Sequence, residues 1–156
     1  TAWYAGKMHI PADTQTRKVR VMRGDQFDKF TPDSKQKFFD QVFQITPQSD
    51  RMGYRLAGAT LQLAEPLEMI SEPIVLGTVQ VPVDGNPIIL VADRHPMGGY
   101  PKIAQVAVVD MPVVAQLRPG GKIQFEEISL AEAENLYLER EQGLQIIKAA
   151  IHLKMK

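Results

Sequence analysis

The chain has 156 residues, 44% hydrophobic and 23% charged, as in a single globular domain with one core. Its 18 Lys and Arg balance its 18 Asp and Glu, and no basic run interleaves with aromatics, so neither nucleic acid nor an anionic lipid surface is indicated as a partner. There is no cysteine, which excludes disulfides, thiol nucleophiles and cysteine-ligated zinc; no apolar run suits a bilayer span or a secretory leader, so the expected location is cytoplasmic.

The 11 prolines and 11 glycines are spread along the chain, the punctuation of a β-rich fold with many short elements. Residues 1–16 read as a lead-in or linker, and 17–156 as the folded domain. The run RKVRVMRG alternates and predicts a strand over 17–24, with Val19 and Val21 on one side and Gly24 as its stop. A helix is expected over 31–43, capped by Thr31, opened by Pro32 and facing the core through Phe38, Phe39, Val42 and Phe43. Residues 43–58 read as strand, polar turn and strand, and 64–77 as irregular.

The clearest hairpin follows. TVQVPV and PIILVA flank Asp84-Gly85, a strong turn pair. Alternation puts Val79, Val81 and Val83 on one face and Gln80 on the other, where a solvated glutamine is expected. A strand over 102–110, a short helical turn over 111–121 ending at Pro119 and two glycines, and a strand over 122–128 with Ile123 and Phe125 inward come next. Ser129 and Glu132 form a capping box that starts a long helix. Ala133, Leu136, Tyr137, Leu144, Ile147 and Ile151 recur at helical spacing, which predicts a packing helix with a weak point at Gly143.

Phosphate-loop and dinucleotide-binding glycine patterns are absent, and Lys154 lacks the surroundings of a biotin acceptor. His9, His95 and His152 are too far apart for metal-ligand spacing, so no metal is expected. Three polar clusters remain: Asp50, Arg51, Tyr54 and Arg55 in one turn; Gln80 on the hairpin; and DRHPMGGYPKIA, residues 93–104. In the third, Asp93, Arg94 and His95 follow a buried strand. Gly98-Gly99 could form an anion-binding nest, with Tyr100 and Lys102 beside it. The residues alone leave two readings open, a site or a charged loop whose glycines only turn it.

QSDRMGYRL, SEPIVLGTVQVPVDGNPIILVADRHPMGGYPKIA and DMPVVAQLRPGGKIQF, in this order, resemble the carboxyltransferase-like family called allophanate hydrolase subunit 2. Its members include a 5-oxoprolinase subunit and an antagonist of a sporulation-kinase inhibitor. The resemblance runs from about Val19 to Gly143 and covers only the C-terminal half of the family pattern. His95-Pro96-Met97 stand where the family more often has small polar residues, which weighs against a catalytic His95. The resemblance implies a mainly β, cyclophilin-like barrel with one short helix near the N-terminus and a C-terminal helix. It implies a subunit that, with a sister cyclophilin-like subunit and a third lactam-utilising subunit, opens 5-oxo-L-proline to glutamate using ATP. Biotin-dependent carboxyl transfer, with biotin as carried substrate, and non-enzymatic relief of a histidine-kinase inhibitor are the alternatives. On this reading Arg94, Lys102 and Arg51 are the catalytic cations, and Tyr54, Arg55, Gln80, Gly98, Gly99 and Tyr100 bind substrate.

Overall fold

In the computed structural model, which describes residues 15–154, the first alternating run is strand β1 (Arg17–Arg23), with Val19 and Val21 sealed inside. The expected lead-in lies almost wholly outside the described residues. Thr31 caps helix α1 (Pro32–Asp40), its Oγ1 accepting the Ser34 N–H at 3.1 Å. The helix ends at Asp40 rather than Phe43. Phe43 instead opens strand β2 (Phe43–Ile45), where it and Ile45 point inward, and Val42 is left in solvent. Phe38 of α1 is fully buried and stacks on Phe125, 4.4 Å between ring centroids, at the centre of an aromatic cluster.

The remaining strands are β3 (Gly53–Ala57), β4 (Glu72–Pro73), β5 (Thr78–Gln80), β6 (Ile88–Leu90), β7 (Met97–Gly98), β8 (Lys102–Val106) and β9 (Lys122–Glu127). Of the nine strands among the described residues, seven close a barrel in the order β1-β8-β5-β6-β3-β2-β9, and β9 returns to pair in parallel with β1. Closure leaves these strands no open edge. This is the mainly β barrel that the resemblance implies. Strands β4 and β7 pair only with each other, Glu72 opposite Gly98 and Pro73 opposite Met97, and form a small flap outside the barrel.

The hairpin forms with Val79 opposite Ile89 and Gln80 opposite Ile88, and Gly85 takes the turn at φ +80°. Its ladder is shorter than expected. The chain turns at Pro82, whose carbonyl accepts the Gly85 N–H, so Val81 is buried but Val83 stands in solvent. Strand β8 stops at Val106 rather than Asp110. A 3-10 turn (Val108–Asp110) and helix α2 (Met111–Ala115) follow, because Asp110 is drawn inward to accept the backbone N–H and the Nε–H of Arg20, at 2.8 and 2.9 Å.

Helix α3 (Leu130–Lys154) begins with the expected capping box: the Ser129 N–H donates to Glu132 Oε2 at 2.7 Å, and the Glu132 N–H donates to Ser129 Oγ at 3.2 Å. It runs unbroken through Gly143. The expected packing role is not met. No α3 residue is buried, its main contact is with the turn at 108–110, and Leu144, Ile147 and Ile151 remain exposed. Among the described residues no helix is long and apolar enough to cross a membrane.

Candidate functional site

The alternation of β5 turns Val79 into the core and Gln80 out of the barrel. Gln80 is nevertheless only 4% exposed, against the expectation of a solvated side chain. The flap covers it. Gly98 lies so close that a Cβ there would stand 2.6 Å from Gln80 Nε2 and 3.1 Å from Ile74 Cδ1, so a side chain at this position must push the amide aside. The Gln80 amide donates to the Tyr100 carbonyl at 3.3 Å.

Beside this amide is a cleft of about 260 Å³ between β3, β6 and the flap. It brings together six of the expected residues: Arg55, Gln80, Arg94, Gly98, Gly99 and Tyr100. His95 and Asp50 also line it. Its apolar wall was not anticipated: Ile74 comes from the stretch read as irregular, and Met52, Ile88 and Leu90 carry no polar signal. Alternation along β6 was the available hint, since Ile88 and Leu90 flank the fully buried Ile89.

The charges favour an anion. Neither Arg55 nor Arg94 forms an ion pair among the described residues; Arg94 Nε–H donates only to the Ile74 carbonyl, at 3.4 Å. The carboxylate of Asp50 is already engaged. It accepts the N–H groups of Met52 and Gly53 at 2.8 and 3.1 Å. These bonds, with smaller help from Arg55 and Arg51, hold its carboxyl below the ordinary range. The cleft therefore presents two guanidinium groups, a buried amide and an apolar wall, which suit a small carboxylic acid or a phosphate with an adjoining amide.

Three expected residues lie elsewhere. Tyr54 and Arg55 are neighbours on a strand and face opposite ways. Tyr54 lines a separate cavity of about 470 Å³ with Arg51 and Arg140, and its hydroxyl donates to the Ala115 carbonyl at 3.3 Å. Arg51 is exposed and pairs with Asp93, Nε to Oδ2 at 3.1 Å. Lys102 is 13% exposed and sits between Glu72 and Asp25, its Nζ 2.8 and 3.2 Å from their carboxylates. Its bond to Glu72 raises its pKa above the ordinary lysine value. The nest is also not formed. Gly98 is extended in β7, and neither it nor Gly99 has a positive φ, so their amides do not turn around one point. Among the described residues, no group of His, Asp and Glu could hold a metal ion.

Comparison with known proteins places the chain in a family. Residues 3–127 match the model for the carboxyltransferase domain, subdomain A and B. A 5-oxoprolinase subunit of Haemophilus influenzae is 42% identical over 136 residues, 87% of this chain and 44% of that protein. The Escherichia coli protein of the same name is 39% identical over 116 residues, 74% of this chain and 37% of its own length. Among solved structures, urea amidolyase from K. lactis superposes with a TM-score of 0.75 at 27% identity, over 80% of this chain and 8% of that one. The chain thus spans less than half the length of these relatives. With a family model covering most of its residues, the chain belongs to the carboxyltransferase domain family.

Proposed function

We propose that this chain forms part of an ATP-dependent 5-oxoprolinase complex, in which it holds the lactam substrate. The observation that carries the reading is the placement of two guanidinium groups, Arg55 and Arg94, without ion-pair partners among the described residues, around the buried Gln80 amide in one small cleft. 5-Oxo-L-proline is a small ring bearing one carboxylate and one amide. Arg94 and Arg55 would neutralise the carboxylate, Gln80 would orient the amide, and Ile74 with Leu90 would cover the ring's methylenes. The two bacterial relatives named as 5-oxoprolinase subunits support this assignment.

A lactam carbonyl is a poor electrophile, and phosphorylation of its oxygen by ATP would activate it. The cleft fits one anionic group and not a nucleoside triphosphate, and the chain has no phosphate-loop pattern. On this reading the ATP site belongs to the sister cyclophilin-like subunit or the third, lactam-utilising subunit. The residues of this cleft bind and orient. A second reading is favoured by the similarity to urea amidolyase. In it the same donors polarise the ureido carbonyl of carboxybiotin during carboxyl transfer to an amide.

Reconstitution with the sister subunits separates the two. The oxoprolinase reading expects ATP hydrolysis that depends on 5-oxo-L-proline and no transfer from a carboxylated biotin carrier. Absence of lactam-dependent hydrolysis in the full assembly refutes it, and carboxyl transfer in its place establishes the second reading.

A further inference from the structure

The flap made by β4 and β7 is too short to hold itself: its ladder is two residues long on each side, with one further bond from the Ile74 N–H to the Pro96 carbonyl at 3.0 Å. Yet much of the cleft hangs on it. Gly98 lies over the Gln80 amide, the Tyr100 carbonyl just beyond β7 accepts from that amide, and the Ile74 carbonyl just beyond β4 holds Arg94 Nε. Beside the Gln80–Tyr100 bond and the buried Ile74 side chain, an ion pair ties the flap to the barrel. Glu72 is in β4 and Lys102 opens β8, and their charged groups stand 2.8 Å apart. Lys102 is largely enclosed, whereas Asp25, its second partner, is 75% exposed and belongs to neither flap strand.

We propose that Lys102 is a positioning residue: its ion pair with Glu72 latches the β4–β7 flap to β8 and thereby sets Gln80 and Arg94 for the ligand. The consequence for lactam binding rests on the function proposed above; the latch itself does not. Lys102 does not touch the cleft. It lines a different cavity, with Arg23, Thr78 and Gln105. Removing either latch partner loosens the flap, which keeps its bond to Gln80 and the buried Ile74, and leaves the barrel strands paired. Removing Asp25 changes little, because water already screens most of that carboxylate.

Hydrogen–deuterium exchange on the chain tests the latch, with residues 71–76 and 96–100 as the reporter and β1 and β9 as the internal reference. Lys102→Met and Glu72→Gln should each speed flap exchange roughly threefold to tenfold, the range that loss of a partly enclosed ion pair gives. The barrel reference should stay unchanged. Lys102→Arg should restore most of the protection, and Asp25→Asn should match wild type. Unchanged flap exchange in both Lys102→Met and Glu72→Gln overturns the proposal. In the reconstituted complex, the two variants should raise the KM for 5-oxo-L-proline alike and leave the pH profile of kcat/KM in place. A Lys102→Met variant without turnover beside a normal Glu72→Gln variant also overturns it, because that pattern belongs to a group acting on the substrate. If the wild-type complex does not turn over the lactam, the function reading fails and the exchange data still decide the latch.

Discussion

Replacing Gly98 with alanine tests the packing that builds the cleft. The new Cβ would stand 2.6 Å from Gln80 Nε2, 3.3 Å from its Oε1 and 3.1 Å from Ile74 Cδ1. Comfortable contact needs about 3.5 Å, so the amide must retreat by about 1 Å. That movement breaks its 3.3 Å bond to the Tyr100 carbonyl. The lost bond costs about 1 kcal/mol, and crowding against Ile74 adds about 1 kcal/mol more. Backbone strain adds nothing, because Gly98 is extended and not at a positive φ. A total of about 2 kcal/mol lowers Tm by about 4–8 °C in a domain of this size. Affinity for 5-oxo-L-proline in the assembled complex should fall more than about tenfold, because the displaced amide loses its orientation. Gly99→Ala is the control for stability: its Cβ would meet only Ser71 Oγ, at an ordinary 3.6 Å. Differential scanning calorimetry and titration of the two variants side by side give the answer. A Gly98→Ala protein that matches Gly99→Ala in Tm and wild type in affinity rules out this packing as the source of the glycine requirement.

Asp110→Asn should destabilise the barrel by about 2–3 kcal/mol in urea unfolding, because it weakens charge-assisted bonds to Arg20 at a 5%-exposed carboxylate; the figure is at the low end for buried pairs because about a third of the Arg20 side chain meets water. The Asp50 carboxyl is held below its ordinary value by the Met52 and Gly53 amides, so its contribution is present above the unfolded pKa and is lost as pH falls through the folded one. The protection of the Met52 and Gly53 amides relative to their intrinsic exchange rates, followed from about pH 5 downward, should therefore fall in acid before the barrel opens, and Asp50→Asn should flatten that dependence.

What was legible in the sequence was mostly local. The alternation of Val19 with Val21 and the Thr31-Pro32 start of α1 report on their own neighbourhoods, and both stand in the fold. The site was half legible. DRHPMGGYPKIA supplies Arg94, Gly98, Gly99 and Tyr100 to the cleft, but the burial of Gln80 depends on residues 72–73 pairing with 97–98. Two-residue strands have no periodicity to read. Tyr54, which shares its cavity with Arg51, parts from Arg55 for a reason the sequence did contain: adjacent strand residues cannot share a face. Lys102 looked like a free cation because its partners, Glu72 and Asp25, are distant in the chain. In α3 the helical period marks an apolar face without naming what covers it, and no α3 residue is buried.

If Arg94 and Gln80 hold a lactam acid in the cleft beneath the flap, the KM for 5-oxo-L-proline must respond to the loss of either. The decisive variant is Arg94→Met in the reconstituted complex. Loss of one charge-assisted contact to the substrate carboxylate should raise that KM about 10- to 100-fold and leave the KM for ATP unchanged. An unaltered KM for the lactam means that the acid does not sit in this cleft.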